Sequence, residues 1–178
     1  ERAFALVAKK PVDRRPIKIF SPYIRMNFGA SYDEAFNDAR SRAHWLIEGY
    51  RRFGQDGLSV NYRLDGIPVA FGAESTYDPT GIPIVKNPVI KELTDISELD
   101  LNNLRFENDK NAQIAFDAVQ IVQEELQDEV FTGVGFMGPF TTAANLAGTT
   151  KILKAMRKDP ENLHRLLDFA ADATIEVG

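Results

Sequence analysis

The segment Val134-Gly-Phe-Met-Gly-Pro-Phe-Thr-Thr-Ala-Ala-Asn-Leu-Ala-Gly148 constrains this chain most: an apolar, strand-like run breaks at Gly138-Pro139 and restarts as small helix formers. This is how a strand turns into a helix. Glycine permits backbone angles that other residues avoid, proline fixes φ and lacks an N–H, and Thr141 and Thr142 are placed to cap the helix that follows. In parallel α/β architectures ligands gather at the carboxyl ends of strands. Gly138, Pro139, Phe140, Thr141 and Thr142 are therefore expected to line a substrate pocket, the alternative being a purely structural corner.

Elements of the same alternating kind precede and follow this corner. Residues 2–9 read as a short helix, the two prolines of Pro11-Val-Asp-Arg-Arg-Pro16 as a loop, and Ile17–Ser21 as a buried strand. Ser31 and Glu34 form a capping box ahead of Phe36, Ala39, Ala43, Ile47 and Tyr50, which predicts one long helix closed by Gly54. Leu58–Tyr62 reads as a second strand with an Asp65-Gly66 turn beyond it. Residues 66–104 read as a long excursion with little firm structure, apart from a short strand or hairpin at Thr80–Val85. Asp109–Gln127 predicts a helix and Val130–Phe136 a third strand. A helix from about Thr142 follows, then a helical piece at Ile152–Met156, and a last helix is started by Asp159-Pro160-Glu161.

The order β, α, β, α, β, α predicts a parallel sheet wound with helices, and three strands are too few to close one. The expected fold is α/β, the N-terminal half of a single (β/α)₈ TIM-barrel domain that spans residues 1–178. Both ends look truncated. Glu1 runs directly into helical spacing, and the last helix is still periodic at Thr174 and Val177. A half barrel leaves strand edges open, so the rest of the barrel or a second copy is an expected partner.

Composition narrows the partners. Lys+Arg 21 against Asp+Glu 26 gives a net charge of −5 without a basic run, which argues against nucleic acid. No apolar stretch approaches the ~20 residues that span a bilayer, so no membrane is expected. The chain has no cysteine, which excludes disulfides and thiolate metal ligands within it and suits the cytoplasm. Its two histidines, His44 and His164, lie in predicted helices without a second ligand at suitable spacing, so no metal site is expected among these residues.

Taken together, several segments resemble the uroporphyrinogen decarboxylase superfamily, which includes the cobalamin-dependent methyltransferases. They are Arg2-Ala-Phe-Ala-Leu with Pro11–Pro16, Gly54–Tyr62 with Phe71-Gly-Ala-Glu74, Gly135–Thr142, and Asp159–Leu167. The resemblance runs over nearly the whole chain and implies the TIM barrel. The decarboxylases carry a paired-arginine segment after the first strand that grips substrate carboxylates; here Ile24–Ser31 offers Arg25 alone. They also carry an aspartate after the second strand that steadies a protonated pyrrole. Arg63 stands in that place and Asp65 two residues later, and a cation there would repel the charge that the aspartate stabilises.

The methyltransferase branch is therefore the closer resemblance. It implies transfer of a methyl group between a methylcobamide, carried on a separate corrinoid protein, and a thiol or small methylated substrate. It also implies a zinc ion whose His and Cys ligands belong to the missing C-terminal half of the barrel. The alternatives are porphyrinogen decarboxylation, or a non-catalytic relative that binds a tetrapyrrole or a corrinoid protein. On this reading Asp65 and Arg63 are the catalytic candidates, against an ordinary surface ion pair. Tyr23, Arg25, Asn27 and Asn61 join the Gly138–Thr142 corner as substrate-binding candidates, Arg25 suiting an anionic group unless it is a solvated loop arginine.

Overall fold

The computed structural model of the protein describes residues 2–19, 21–31, 34, 36–78 and 82–178. It is an α/β protein that divides into two compact units, one holding the chain up to Asn61 together with Gln113–Gly135, the other Tyr62–Ala112 with Phe136–Gly178. No helix among the described residues is long and apolar enough to cross a membrane.

In the first unit, strands β1 (Gly57–Asn61) and β4 (Phe131–Gly135) pair in parallel, in a register that sets Ser59 opposite Gly133 and Asn61 opposite Gly135. Successive side chains of a strand point to opposite faces. Leu58 and Val60, 2% and 0% exposed, therefore share one face, which packs on α3 (Ala39–Phe53) and α5 (Lys110–Leu126) through Ala43, Leu46, Ile47, Ala118 and Val122. Burying each such side chain contributes about 1.5–3 kcal/mol. Ser59 and Asn61 lie on the other face.

Two expectations for this unit are corrected. The strand expected at Ile17–Ser21 forms no ladder over Ile17–Ile19, and Ser21 already opens helix α2 (Ser21–Asn27), while Phe20 lies outside the described residues. Side chains take the N–H groups that strand carbonyls would have taken: Ile17 donates to Asp56 Oδ2 at 2.8 Å and Ile19 to Gln55 Oε1 at 2.9 Å. The long helix expected from Ser31 starts instead at Ala39. The Ser31–Glu34 capping box does form, Ser31 N–H donating to Glu34 Oε2 at 2.8 Å and Glu34 N–H to Ser31 Oγ at 3.2 Å. The chain is then capped afresh by Asp38, whose side chain accepts from Ser41 N–H; Tyr32, Asp33 and Ala35 lie outside the described residues. Gly54 closes α3 at φ 61°, in the left-handed region, as its position at the helix end predicts. Short helix α1 (Arg2–Val7) is also present.

The second unit contains the excursion, which is more ordered than its composition suggests. It forms a short helix α4 (Gly66–Ala70), an antiparallel hairpin of β2 (Glu74–Tyr77) and β3 (Pro83–Asn87), and 3₁₀ helices at Leu93–Glu98 and Leu101–Leu104. Thr80 and Gly81 of the expected hairpin lie outside the described residues. Ile90, Leu93 and Ile96 give the excursion its purpose, because they enter one core with α6 (Pro139–Ala147), α7 (Thr149–Lys158) and α8 (Pro160–Val177). Asp159 caps α8 through Asn162 N–H with Pro160 in the first turn, as its sequence implies.

Candidate functional site

On the first unit's polar sheet face, Asn61 ends β1 with its amide oxygen lying where a Cβ on Gly135 would stand, so any side chain there would push the amide aside. Ser59, one repeat earlier, accepts from Lys18 Nζ. Asn61 and Ser59 line a cavity of about 20 Å³, the space of one water molecule, together with Arg25, Arg42 and Trp45. Arg25 is 6% exposed and donates through Nη1 to Ala30 O at 2.6 Å, so it is a buried residue of α2 and not a solvated loop arginine. Arg42 is the residue that sequence reasoning missed. It is 5% exposed, with its guanidinium 4.6 Å above the Phe36 ring. Its signal was an arginine on the apolar stripe of a helix, beside Ala43 and Leu46. Tyr23 is exposed, and Asn27 Nδ2 donates to Tyr23 O at 2.8 Å; neither lines the cavity.

In the second unit the chain turns from Tyr62 into α4 around a buried carboxylate. Asp65, 1% exposed, accepts from Arg63 Nε at 3.0 Å and Nη2 at 2.9 Å, and from Ser75 Oγ of the hairpin at 2.5 Å. Arg63 and Asp65 are thus brought together as a two-point ion pair with both side chains largely out of solvent. Asn145 of α6 donates to Leu64 O at 3.1 Å, holding the loop between them. Beside this pair, Tyr62 OH donates to Asp109 Oδ2 at 2.5 Å, and Asp109 Oδ1 in turn accepts from Asn111 N–H, so a carboxylate that caps α5 also anchors the phenol. Burial, then the Asp109 carboxylate, push the Tyr62 hydroxyl pKa well above the usual phenol range. The Tyr62 ring also fills the space that a Cβ on Gly66 would need.

The Gly138 corner differs from its expected chemistry. Gly138 sits at φ −70°, ψ 159°, ordinary extended backbone, and no threonine side chain caps α6. Pro139 takes the first helical turn, Phe140 is 46% exposed and Thr141 is exposed. Thr142 is 2% exposed on the buried side of α6 with Ala143 and Leu146, and its Oγ1 has no hydrogen-bond partner among the described residues. His44 and His164 are both exposed on helices. Among the described residues no group of three or more His, Cys, Asp or Glu side chains is placed to hold a metal ion.

Parallel strands covered by helices on one face, with polar side chains where β1 ends, define an α/β protein of the kind that builds its sites at strand termini. The family is specific. The family model described as Uroporphyrinogen decarboxylase (URO-D) matches residues 1–178, and the chain belongs to that family. Among curated relatives, the uroporphyrinogen decarboxylase of Alkalilimnicola ehrlichii is 29% identical over 98% of this chain and 50% of its own length. That of Vibrio campbellii is 26% identical over 99% of this chain and 52% of its own. The chain thus spans about half the length of the curated relatives it matches. A methyltransferase from Methanosarcina mazei superposes with a TM-score of 0.80 at 21% identity, covering 99% of this chain and 55% of that one, and so shares the fold.

Proposed function

We propose that these residues form the N-terminal half of a (β/α)₈ barrel whose whole protein is a corrinoid-linked methyltransferase, moving a methyl group between a methylcobamide on a corrinoid protein and a thiol or small methylated substrate. The observation that carries this reading is the Arg63–Asp65 pair. A porphyrinogen decarboxylase needs a carboxylate free to accept pyrrole N–H groups. Here the aspartate beside that place is committed to Arg63 and Ser75 and is 1% exposed. A cation neutralised by its neighbour suits an uncharged methyl donor better than a protonated pyrrole.

The zinc that this branch uses to hold a thiol as thiolate does not fit the residues described, so its ligands would come from elsewhere in the whole protein. From this chain we assign substrate-binding roles to Arg25 and Asn61, with Tyr23 and Asn27 on the neighbouring α2 surface. In the other unit we assign them to Gly138, Pro139, Phe140 and Thr141, and to Thr142 only as packing beneath them. Arg63 and Asp65 act as a fixed pair.

The second reading is porphyrinogen decarboxylation, which needs no metal and is favoured by the decarboxylase relatives at 25–29% identity. Full-length protein separates the two. Bound zinc together with methyl transfer from methylcobalamin to a thiol supports the first reading. Decarboxylation of a porphyrinogen that survives Arg63→Ala and is abolished by Asp65→Ala overturns it.

A further inference from the structure

Helix α3 brings Arg42 and Trp45, three residues apart and so on one helix face, to the polar side of β1. Together with Arg25 of α2 and with Ser59 and Asn61 of the strand, they line the cavity of about 20 Å³ described above. Each of the five can donate a hydrogen bond. A guanidinium and an indole carry donors only, and Ser59 Oγ already accepts from Lys18 Nζ, which leaves its own hydrogen to give. Trp45 Nε1–H lies out of solvent with no hydrogen-bond partner among the described residues, its ring held beside those of Phe28 and His44 at centroid distances of 5.3 and 4.8 Å. Among the described residues no carboxylate lines the cavity, and the rest of its wall is apolar: Ile24, Phe36 and Leu46.

Size and charge select among the occupants. Space for one water-sized particle is too small for a carboxylate, a phosphate or a sulfate, each of which carries several oxygens. Water fits by size, but it gives two hydrogens as well as taking them, and this lining is mostly donor. A monatomic anion only accepts. Arginine stays ionised, so two cationic side chains, 6% and 5% exposed, flank the space, and a negative charge beside them offsets part of the cost of keeping both out of water.

We propose that this cavity is a halide site, filled by chloride under cellular conditions, in which Arg25, Arg42, Trp45 Nε1 and Ser59 Oγ donate to a single ion. Arg42 and Trp45 have no part in the methyl transfer proposed above, so the site goes beyond that reading and does not depend on it. The ion joins α2, α3 and β1 through one point of charge, and it fixes the Arg25 guanidinium from behind.

The site carries its own probe, since Trp45 is the single tryptophan of these residues and bromide quenches an indole that it touches. The whole protein is titrated with bromide in place of gluconate at constant ionic strength, with Trp45→Phe as the blank for any other tryptophan. The expected result is a saturable loss of Trp45 emission, half complete on the order of 10 mM, with the lifetime of the remaining emission unchanged. Chloride, a weak quencher, restores the emission by displacement, whereas sulfate and acetate do not. Arg42→Met raises the half-point about tenfold or more. Ser59→Ala, a one-atom change on a half-buried strand residue, raises it several-fold, which keeps the test decisive even where the arginine variant does not fold. Quenching that rises linearly while the lifetime falls is mere collision and overturns the proposal. Displacement by sulfate or acetate as effective as by chloride overturns it too, as does a half-point that Ser59→Ala leaves unchanged.

Discussion

Replacing Tyr62 with phenylalanine removes one oxygen from a buried network. Tyr62 and Asp109 are each 2% exposed, and their 2.5 Å hydrogen bond ties the phenol to the carboxylate that caps α5. Without the phenol, Asp109 Oδ2 loses a donor that water cannot easily replace. A hydrogen bond to a charged group is worth about 1.5–3 kcal/mol, and the orphaned acceptor puts the cost within that range. At about 2 kcal/mol, and roughly 2–4 °C per kcal/mol for a chain of this size, the melting temperature falls by roughly 4–8 °C. The effect depends on pH with a definite sign. The folded-state pKa of Tyr62 is raised, so its contribution is complete below the unfolded phenol value of about 10 and is lost as pH rises beyond it. Urea unfolding followed by far-UV circular dichroism at about pH 7 and about pH 11 reads both parts, the gap between the two proteins being wide at the first and narrower at the second. Equal midpoints at neutral pH, or a gap unchanged in alkali, would refute the reasoning.

Three other outcomes follow from single contacts. Gly135→Ala drives a Cβ into the Asn61 amide and costs about 1–3 kcal/mol; combining it with Asn61→Ala recovers much of that, and a double-mutant cycle with no coupling would show that the two do not touch. Thr142→Val replaces a buried hydroxyl that has no partner among the described residues by an isosteric methyl and gains about 1 kcal/mol in urea unfolding; a loss would mean that the hydroxyl is bonded after all. Asp56 has its pKa lowered to about 2 by the Ile17 N–H, then Arg14, so its contribution is full above the unfolded carboxylate range and disappears as pH falls from about 4 towards 2. Asp56→Asn flattens that acid limb of the urea midpoint, and an unchanged slope would move the acid sensitivity elsewhere.

Much of this fold was legible because local signals and burial agreed. Asp159-Pro160 started a helix where a cap and a pre-set φ predict one, and Leu58 and Val60 alternated with Ser59 and Asn61 as a half-buried strand must. The failures have a shared cause. Ile17–Ile19 has the composition of a strand, but strand character is completed by a partner's backbone, and Gln55 and Asp56 side chains answered those N–H groups instead. The excursion between Gly66 and Leu104 reads as loop because of its Gly, Pro and Asp content. Much of its structure comes from scattered apolar residues, among them Ile90, Leu93 and Ile96, whose partners lie about fifty positions downstream on α6 to α8.

The candidate site divides along the same line. Asn61 and Arg25 could be named from chain position, but only the register opposite Gly135 orients the amide and only burial removes Arg25 from solvent. Arg63 and Asp65 could be named as a pair, since two residues apart at a strand's end they can reach one another. What spacing could not supply was Ser75, ten residues on and across a hairpin, whose hydroxyl takes up Asp65 Oδ2. That third contact narrows what Asp65 can still accept. With Ser75 and Arg63 both donating, the carboxylate has few lone pairs left for a ligand. Ser75→Ala should therefore release an acceptor, and if the decarboxylase reading holds, it should raise affinity for a pyrrole substrate; under the methyltransferase reading it should only loosen the hairpin.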